Sequence, residues 1–334
     1  MRELLSNILS EDPDIDVVGV APDPLIARKK IKALNPDVIT LDVEMPRMDG
    51  LSFLERLMRL RPTPVIMISG LTQENSEATL NALELGAVDV VAKSKINLDL
   101  SLHEKRAEII DKVKAAAKAN LGFSTRTDGP SENSVITPNA GYTADRKVIA
   151  IGASAGGVEA LRYIVKQLPA NCPPILLTQH IAIEFTRNFA KRLDSISQAT
   201  VIEAENGMAI RPGHVYVAPG DQHLMLRIGR NGPNCNLDTG PLVSGHRPSV
   251  DTLFSSVAEN AGAAAVGVIL TGMGRDGAKG LLAMRDAGAM TIGQDEATAM
   301  IYGMPRVAFE LGAVREQLPL TKITGAFLNA CVDQ

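Results

Sequence analysis

The chain has 334 residues, 45% of them apolar and 22% charged, with 34 Lys and Arg against 38 Asp and Glu for a formal net charge of −4. That length suggests about two domains, each able to bury a core, and the mild acidity excludes the basic footprint of a nucleic-acid binder. No apolar run has the length of a membrane span, and the N-terminus "MRELLSNILSEDPD" lacks the basic head and apolar core of a secretory signal. Cys172, Cys235 and Cys331 match no metal spacing and read as buried small residues of a reducing compartment, so the expectation is a cytoplasmic protein without membrane insertion or nucleic-acid partner.

Taken in chain order, "MRELLSNILSEDPD" reads as a helix and "IDVVGVA" as a strand. Residues Asp23 to Leu34 read as a helix, "DVITLD" as a strand, Leu51 to Leu60 as a helix, "PVIMISG" as a strand, Glu74 to Leu85 as a helix and "AVDVVAK" as a strand. Short apolar runs divided by amphipathic helices predict βα units and a parallel sheet. Leu102 to Ala119 continues as one more helix. From Gly122 to Asp145 the chain is rich in Ser, Thr, Asn, Gly and Pro without periodicity, which predicts a flexible linker. A second α/β series begins at Lys147. The expected domains are therefore 1–119, a linker over 120–146, and 147–334.

Ligand sites of open α/β sheets lie at the carboxyl ends of the strands. In the second series "VIAIG" leads to Ser154, "PILLT" to Gln179 and His180, "HVYVAPG" to Asp221 and His223, "AVGVILTGMGR" to Asp276 and "AMTIGQ" to Asp295. Ser154, His180 and Asp276 supply a nucleophile, a base and an orienting carboxylate, the minimum for acyl transfer. Gly152 to Gly156 spells G-x-S-x-G between a strand and a helix, the setting of a nucleophile elbow. Gly152 is expected to allow a sharp exit from the strand, and Gly156 with Gly157 to let an ester approach the helix start, whose unsatisfied amides suit an oxyanion. Met273, between two glycines, offers a further amide. A dinucleotide loop is disfavoured because the spacing is not G-x-G-x-x-G. His214, His223 and His246 are rival bases, Ser154 is open to a reading as a helix cap, and "HRPSVD" is open between substrate binding and packing.

"IGASAGGVEAL", "TQH", "HRPSVDTLF", "ILTGMGRDGAKGL" and "IGQDEATAMIYGMPRVA" resemble the catalytic domain of the bacterial chemotaxis protein-glutamate methylesterases over Lys147 to Val332. The resemblance implies hydrolysis of glutamate γ-methyl esters on chemoreceptors with release of methanol, glutamine deamidation as a second activity, and no cofactor for catalysis. It places the family's triad on Ser154, His180 and Asp276 and its oxyanion amide on Met273. Ala155 stands where many members carry Thr. The competing expectation is a non-catalytic module, joined to the first domain, that binds a chemoreceptor or a kinase.

In the first series "LDVEMPRMDG" puts Asp42 at a strand end, "ISG" puts Ser69 at the next and "VVAK" puts Lys93 at the next. This constellation resembles a response-regulator receiver domain of flavodoxin-like order over Met1 to about Ala119. The resemblance implies Asp42 as phosphoacceptor from a chemotaxis histidine kinase, Ser69 and Lys93 as phosphoryl contacts, and Mg²⁺ bound by Asp42 and the carbonyl of Glu44. It also implies that the receiver packs over the catalytic face until phosphorylation relieves the block. Ser94 replaces a usual Pro, and nothing before "MRELLSNILSEDPD" supplies the family's first strand and acidic pair. Met1 is thus expected to be an internal methionine of a longer protein, with Asp42 phosphorylation impaired in the chain as written. Asp12, Asp14 and Asp16 precede their strand and do not replace the pair.

Overall fold

The computed structural model describes residues 1–43, 45, 50–70, 73–93, 105–122 and 147–332, and the chain divides into two compact units, Met1–Leu121 and Gly122–Gln334. Most of the expected linker, residues 123–146, and Glu44 lie outside the described residues.

In the first unit helices α1 (Arg2–Ser10), α2 (Pro24–Leu34), α3 (Gly50–Leu60), α4 (Gln73–Glu84) and α5 (Arg106–Ala116) accompany strands β1 (Ile39–Asp42), β2 (Val65–Gly70) and β3 (Asp89–Lys93). The strands run parallel in the order β1-β2-β3, and the central one, β2, is buried along its whole length, as an uninterrupted apolar strand requires. Local signals set the boundaries. The Asp23 side chain accepts the Ile26 amide at 3.0 Å, Pro24 occupies the first helical position, and Asn35 ends the helix in left-handed conformation.

The strand expected over Ile15 to Ala21 is not formed. This segment joins no ladder among the described residues, and Val18 and Val20 are 47% and 46% exposed. The physical reason is the lack of a partner among the described residues: β propensity needs a neighbouring backbone to become a strand, and of the described strands only β2 pairs with β1. Side chains take its carbonyls instead, with Lys30 Nζ donating to the Val20 carbonyl at 2.8 Å.

The second unit begins with β4 (Val148–Ala153), α6 (Gly157–Val165), β5 (Ile175–Gln179), α7 (Ile183–Ile196), β6 (Thr200–Glu203) and β7 (His214–Val217). A hairpin of β8 (His223–Gly229) and β9 (Gly232–Asp238) follows, then α8 (Val250–Ala261), β10 (Ala265–Ile269), α9 (Ala278–Asp286), β11 (Met290–Gln294), α10 (Met304–Glu310), β12 (Glu316–Leu318) and α11 (Leu320–Asn329). Seven strands form one sheet in the order β12-β11-β10-β4-β5-β7-β6, every neighbouring pair parallel, and β8-β9 is antiparallel. This is the mostly parallel α/β fold the patterning predicts.

The order explains where a site forms. After β4 the chain moves to β5 on one side, and it later returns to β10 on the other. The loops after β4 and β10 therefore diverge and leave a crevice at their carboxyl ends. Gly152 lies within β4, and a Cβ there would stand 2.1 Å from Val250 Cγ1. Its expected part in a sharp turn is thus corrected: the missing side chain admits the first residue of α8. Gly152→Ala should lower the unfolding free energy by about 1–3 kcal/mol through overpacking. Denaturant titration measures this, and a neutral result would contradict the packing account.

Candidate active site

Strand register brings the first two residues together. Ala153 pairs with Gln179 across β4 and β5, so Ser154 and His180 occupy the next positions along adjacent strands. The His180 amide donates to the Ala153 carbonyl at 3.1 Å, and the Ser154 amide donates to the Thr271 carbonyl at 3.0 Å, at the exit of β10. Ser154 is thus flanked by the segment that carries His180 and the loop that carries Asp276. It keeps 9% exposure, and its Oγ has no hydrogen-bond partner among the described residues.

Asp276 is almost wholly buried and fully engaged. Oδ1 accepts the Ser249 hydroxyl at 2.8 Å and the Asp251 amide at 3.1 Å; Oδ2 accepts the Val250 amide at 2.7 Å and stands 2.8 Å from His180 Nε2. These amides open α8, whose N-cap is Ser249, with its side chain accepting the Thr252 amide. A helix N-terminus presents unpaired N–H groups and a positive dipole end to an anion. Burial alone would push the Asp276 carboxyl up. The His180 hydrogen bond and charge, with the Val250 and Asp251 amides, outweigh it and hold the group below its ordinary value of 3.8.

An ionised carboxylate only accepts, so the proton shared with Asp276 sits on His180 Nε2. The other ring nitrogen, Nδ1, is buried and has no partner among the described residues. With the shared proton on Nε2, Nδ1 carries the ring's unused lone pair; it is not hydrogen-bonded to Ser154 Oγ. His246 lies flat on the same ring, with centroids 3.8 Å apart and planes inclined by 15°.

The backbone around Ser154 has donors to spare. Gly156 adopts φ +75° and the Gly157 amide donates to the Ser154 carbonyl at 2.7 Å. The amides of Ala155, Gly156 and Met273 have no hydrogen-bond partner among the described residues. The loop bearing Met273 is fixed by its neighbour, since the Gly303 and Met304 amides both donate to the Gly272 carbonyl, at 3.1 and 2.8 Å. The expected reason for Gly156 and Gly157 is corrected here. A Cβ at Gly157 would lie 2.1 Å from Gln179 Oε1, and one at Gly156 would lie 2.6 Å from Met300 Cβ. These glycines make room for the protein's own atoms.

The remaining candidates have structural partners. His223 is buried, with Nε2 2.9 Å from the Pro241 carbonyl and Nδ1 accepting the Ser249 amide at 3.1 Å, a satisfied core histidine. His214 opens β7 and so lies at the opposite end of the sheet. Asp221 binds the Arg247 guanidinium at 2.6 and 2.9 Å, and Asp295 caps the turn at Thr298. The three thiols are buried and pushed up to about 12 by desolvation, which leaves them inert at neutral pH. Ser249 was not singled out as a site residue. A Ser before a helix is a readable cap, but its second contact, with Asp276 across 27 positions, has no local signature.

In the first unit β1 and β3 deliver Asp42 and Lys93 to one point, with Lys93 Nζ 2.8 Å from both carboxylate oxygens. Ser69, at the end of β2, is fully buried and its Oγ accepts the Thr79 hydroxyl at 2.6 Å. Of the two expected Mg²⁺ ligands, Asp42 stands at the Lys93 contact and Glu44 lies outside the described residues. Among the described residues no three His, Cys, Asp or Glu side chains cluster, and Lys114 of α5 draws Asp12 and Asp14 into ion pairs. No helix among the described residues is long and apolar enough to cross a membrane.

The family model described as CheB methylesterase matches residues 149–327, and the response regulator receiver domain model matches residues 1–101. The chain belongs to the CheB methylesterase family. It is 54% identical over 332 residues to a protein-glutamate methylesterase/protein-glutamine glutaminase of Xanthomonas campestris pv. campestris, covering 97% of this chain and 92% of that protein. A relative of the same description from Methylobacillus flagellatus is 51% identical over 98% of this chain and 93% of its own length. Among solved structures, the CheB methylesterase catalytic domain of Thermotoga maritima matches with 40% identity and a TM-score of 0.54, covering 55% of this chain and 97% of that one.

The charge on Asp276 has a pH signature. Because its folded pKa lies below 3.8, the carboxylate contributes stability in full above that pH and loses it as pH falls through the lower folded value. Asp276→Asn should therefore melt lower than the parent at pH 6 to 8, with the difference shrinking below pH ~3.8. Thermal melts across pH check this; a difference that grows toward acid would contradict it.

Proposed function

We propose that this member of the CheB methylesterase family hydrolyses glutamate γ-methyl esters on chemoreceptors, and deamidates receptor glutamines, with Ser154 as nucleophile, His180 as general base and acid, and Asp276 as the group that holds and charges-balances the imidazole. The observation that carries the assignment is the state of His180: one nitrogen bound to a buried carboxylate at 2.8 Å, the other buried without a partner, on a residue that, like Ser154, lies one position past the Ala153–Gln179 pair.

The chemistry follows from those positions. Nδ1 takes the Ser154 hydroxyl proton as Oγ bonds to the ester carbonyl carbon, and the imidazolium that results is paired with Asp276 through Nε2–H. The carbonyl oxygen becomes an oxyanion, for which the Met273 amide and the unpaired amides of Ala155 and Gly156 are the available donors. Nδ1–H then passes its proton to the departing methoxy oxygen, releasing methanol and leaving an acyl-serine. Water, deprotonated by Nδ1, attacks that acyl carbon, and Ser154 regains its proton as the glutamate carboxylate leaves. With glutamine as substrate the leaving group is ammonia and the sequence is otherwise the same. No metal or cofactor enters these steps.

For the first unit the proposed roles are Asp42 as phosphoacceptor from a histidine kinase and Lys93 as the cation that balances the phosphoryl group, a pairing supported by their 2.8 Å contacts. Ser69 is the further phosphoryl contact proposed: its oxygen accepts from Thr79 and its own proton is not used in that bond.

Ser154→Ala should reduce methanol release from methylated receptor by at least about 10³-fold, the scale of losing a catalytic nucleophile, with an unchanged melting temperature. Undiminished turnover would overturn the assignment and favour a binding module.

A further inference from the structure

The segment His246–Asp251 touches both partners of the Ser154 nucleophile. Ser249 grips Asp276, while His246 lies face to face with His180 at 3.8 Å. The steps proposed above use Ser249 indirectly and leave His246 without a part.

His246 is held in place from both sides. The amides and carbonyls of Val243 and His246 bond reciprocally at 3.0 and 2.9 Å around Ser244 and Gly245, which both adopt positive φ, +52° and +83°. That is the tight hairpin turn with two left-handed central residues. Gly245 adopts it freely, whereas Ser244 pays a conformational cost that something else must offset. Its hydroxyl donates to Asp251 Oδ2 at 3.1 Å, and Asp251 Oδ1 in turn accepts the Gly280 amide at 2.8 Å. On the other side Arg247 binds Asp221 and the carbonyls of Thr239 and Gly240, at 2.9 and 2.8 Å. The imidazole of residue 246 is thus presented by a strained turn whose two flanks are anchored to separate parts of the scaffold. Strain of this kind, over-determined by its surroundings, concentrates at functional sites.

The His180 ring has a matching need. Its bond to Asp276 fixes the Nε2 end and the backbone fixes Cβ, which leaves rotation of the ring about the line from Cβ to Nε2. Such a swing would carry Nδ1 away from Ser154. A flat surface against the ring face removes that freedom without consuming either nitrogen, and rings stacked at 3.8 Å are in van der Waals contact over their faces.

We propose that His246 is a positioning residue for the reaction, its ring face holding the His180 imidazole in the plane that aims Nδ1 at Ser154. The inference rests on the assignment of Ser154, His180 and Asp276 made above. What it requires of residue 246 is a flat ring; it does not require a proton donor or acceptor there.

The test uses the full chain with His246→Ala and His246→Phe, and Ser154→Ala as the reference for the underlying assignment. Three quantities are read: kcat and KM for methanol release from methylated receptor, and the second-order rate of Ser154 labelling by a serine-directed phosphonate, with kcat expressed per titrated Ser154. His246→Ala should lower kcat and the labelling rate together by about 10- to 100-fold, the cost of misplacing a catalytic group by an ångström or so, with KM within about twofold of the parent. His246→Phe should recover most of both rates. A merely structural role would lower the fraction of titratable enzyme while leaving kcat per site unchanged, and that result would overturn the proposal. A Phe variant as slow as Ala would also overturn it, since a polar role for His246 would then be at work. Retained activity in Ser154→Ala would instead sink the triad assignment itself, whatever the His246 variants do.

Discussion

The second unit is organised around one buried anion. Asp276 receives a hydroxyl, two amides and an imidazole N–H, and three of the four come from the first turn of a single helix, Ser249 to Asp251. A lone carboxylate in this setting would be costly, and the helix start offsets that cost while keeping the charge. Several other features follow from it. The helix must lie close over β4, so residue 152 has no side chain to block Val250. The loop after β10 must return toward that helix start, and it does so across a stretch of small residues, Gly272, Gly274 and Gly277, of which the last two adopt positive φ.

The parallel sheet converts this local arrangement into a site. Because the strand order reverses between β4 and β10, the loops after them open a crevice, and the register of β4 with β5 sets Ser154 beside His180. The acid is then on one side of the crevice, the base on the other and the nucleophile on the central strand. None of the three groups has to be held by a mobile loop alone. His180 follows a buried strand, Ser154 is pinned through its own amide, and Asp276 is bound to a helix start.

Much of this was legible in the sequence, because Ser154 and His180 directly follow apolar runs, Asp276 lies in the loop after a third, and such runs in a parallel sheet end on the same edge. The same logic singled out Asp42 and Lys93, which the first sheet brings into contact. What escaped was whatever depends on distant neighbours. Ile15 to Ala21 has the composition of a strand and is not one, since strand formation is a property of a pair of chains and no described strand lies beside it. His223 was a rival to His180 as base, and only the Pro241 and Ser249 contacts show it to be occupied. The glycines of "GASAGG" were legible as necessary but not for the right reason. Their spacing invited a ligand, whereas Val250, Met300 and Gln179 fill the space. Ser249 and His246 sit in a motif whose role in support of Asp276 and His180 depends on contacts made 27 and 66 positions away in the chain.

The central claim is that the acceptor-only carboxylate of Asp276 places the His180 proton on Nε2 and leaves Nδ1 with its lone pair free to act as the proposed base. Long-range ¹H–¹⁵N correlation of the imidazole nitrogens at neutral pH reads this directly. The account predicts a protonated Nε2 and an unprotonated Nδ1 for His180, with the preference lost in Asp276→Ala. A ring protonated on Nδ1 in the parent protein would contradict it.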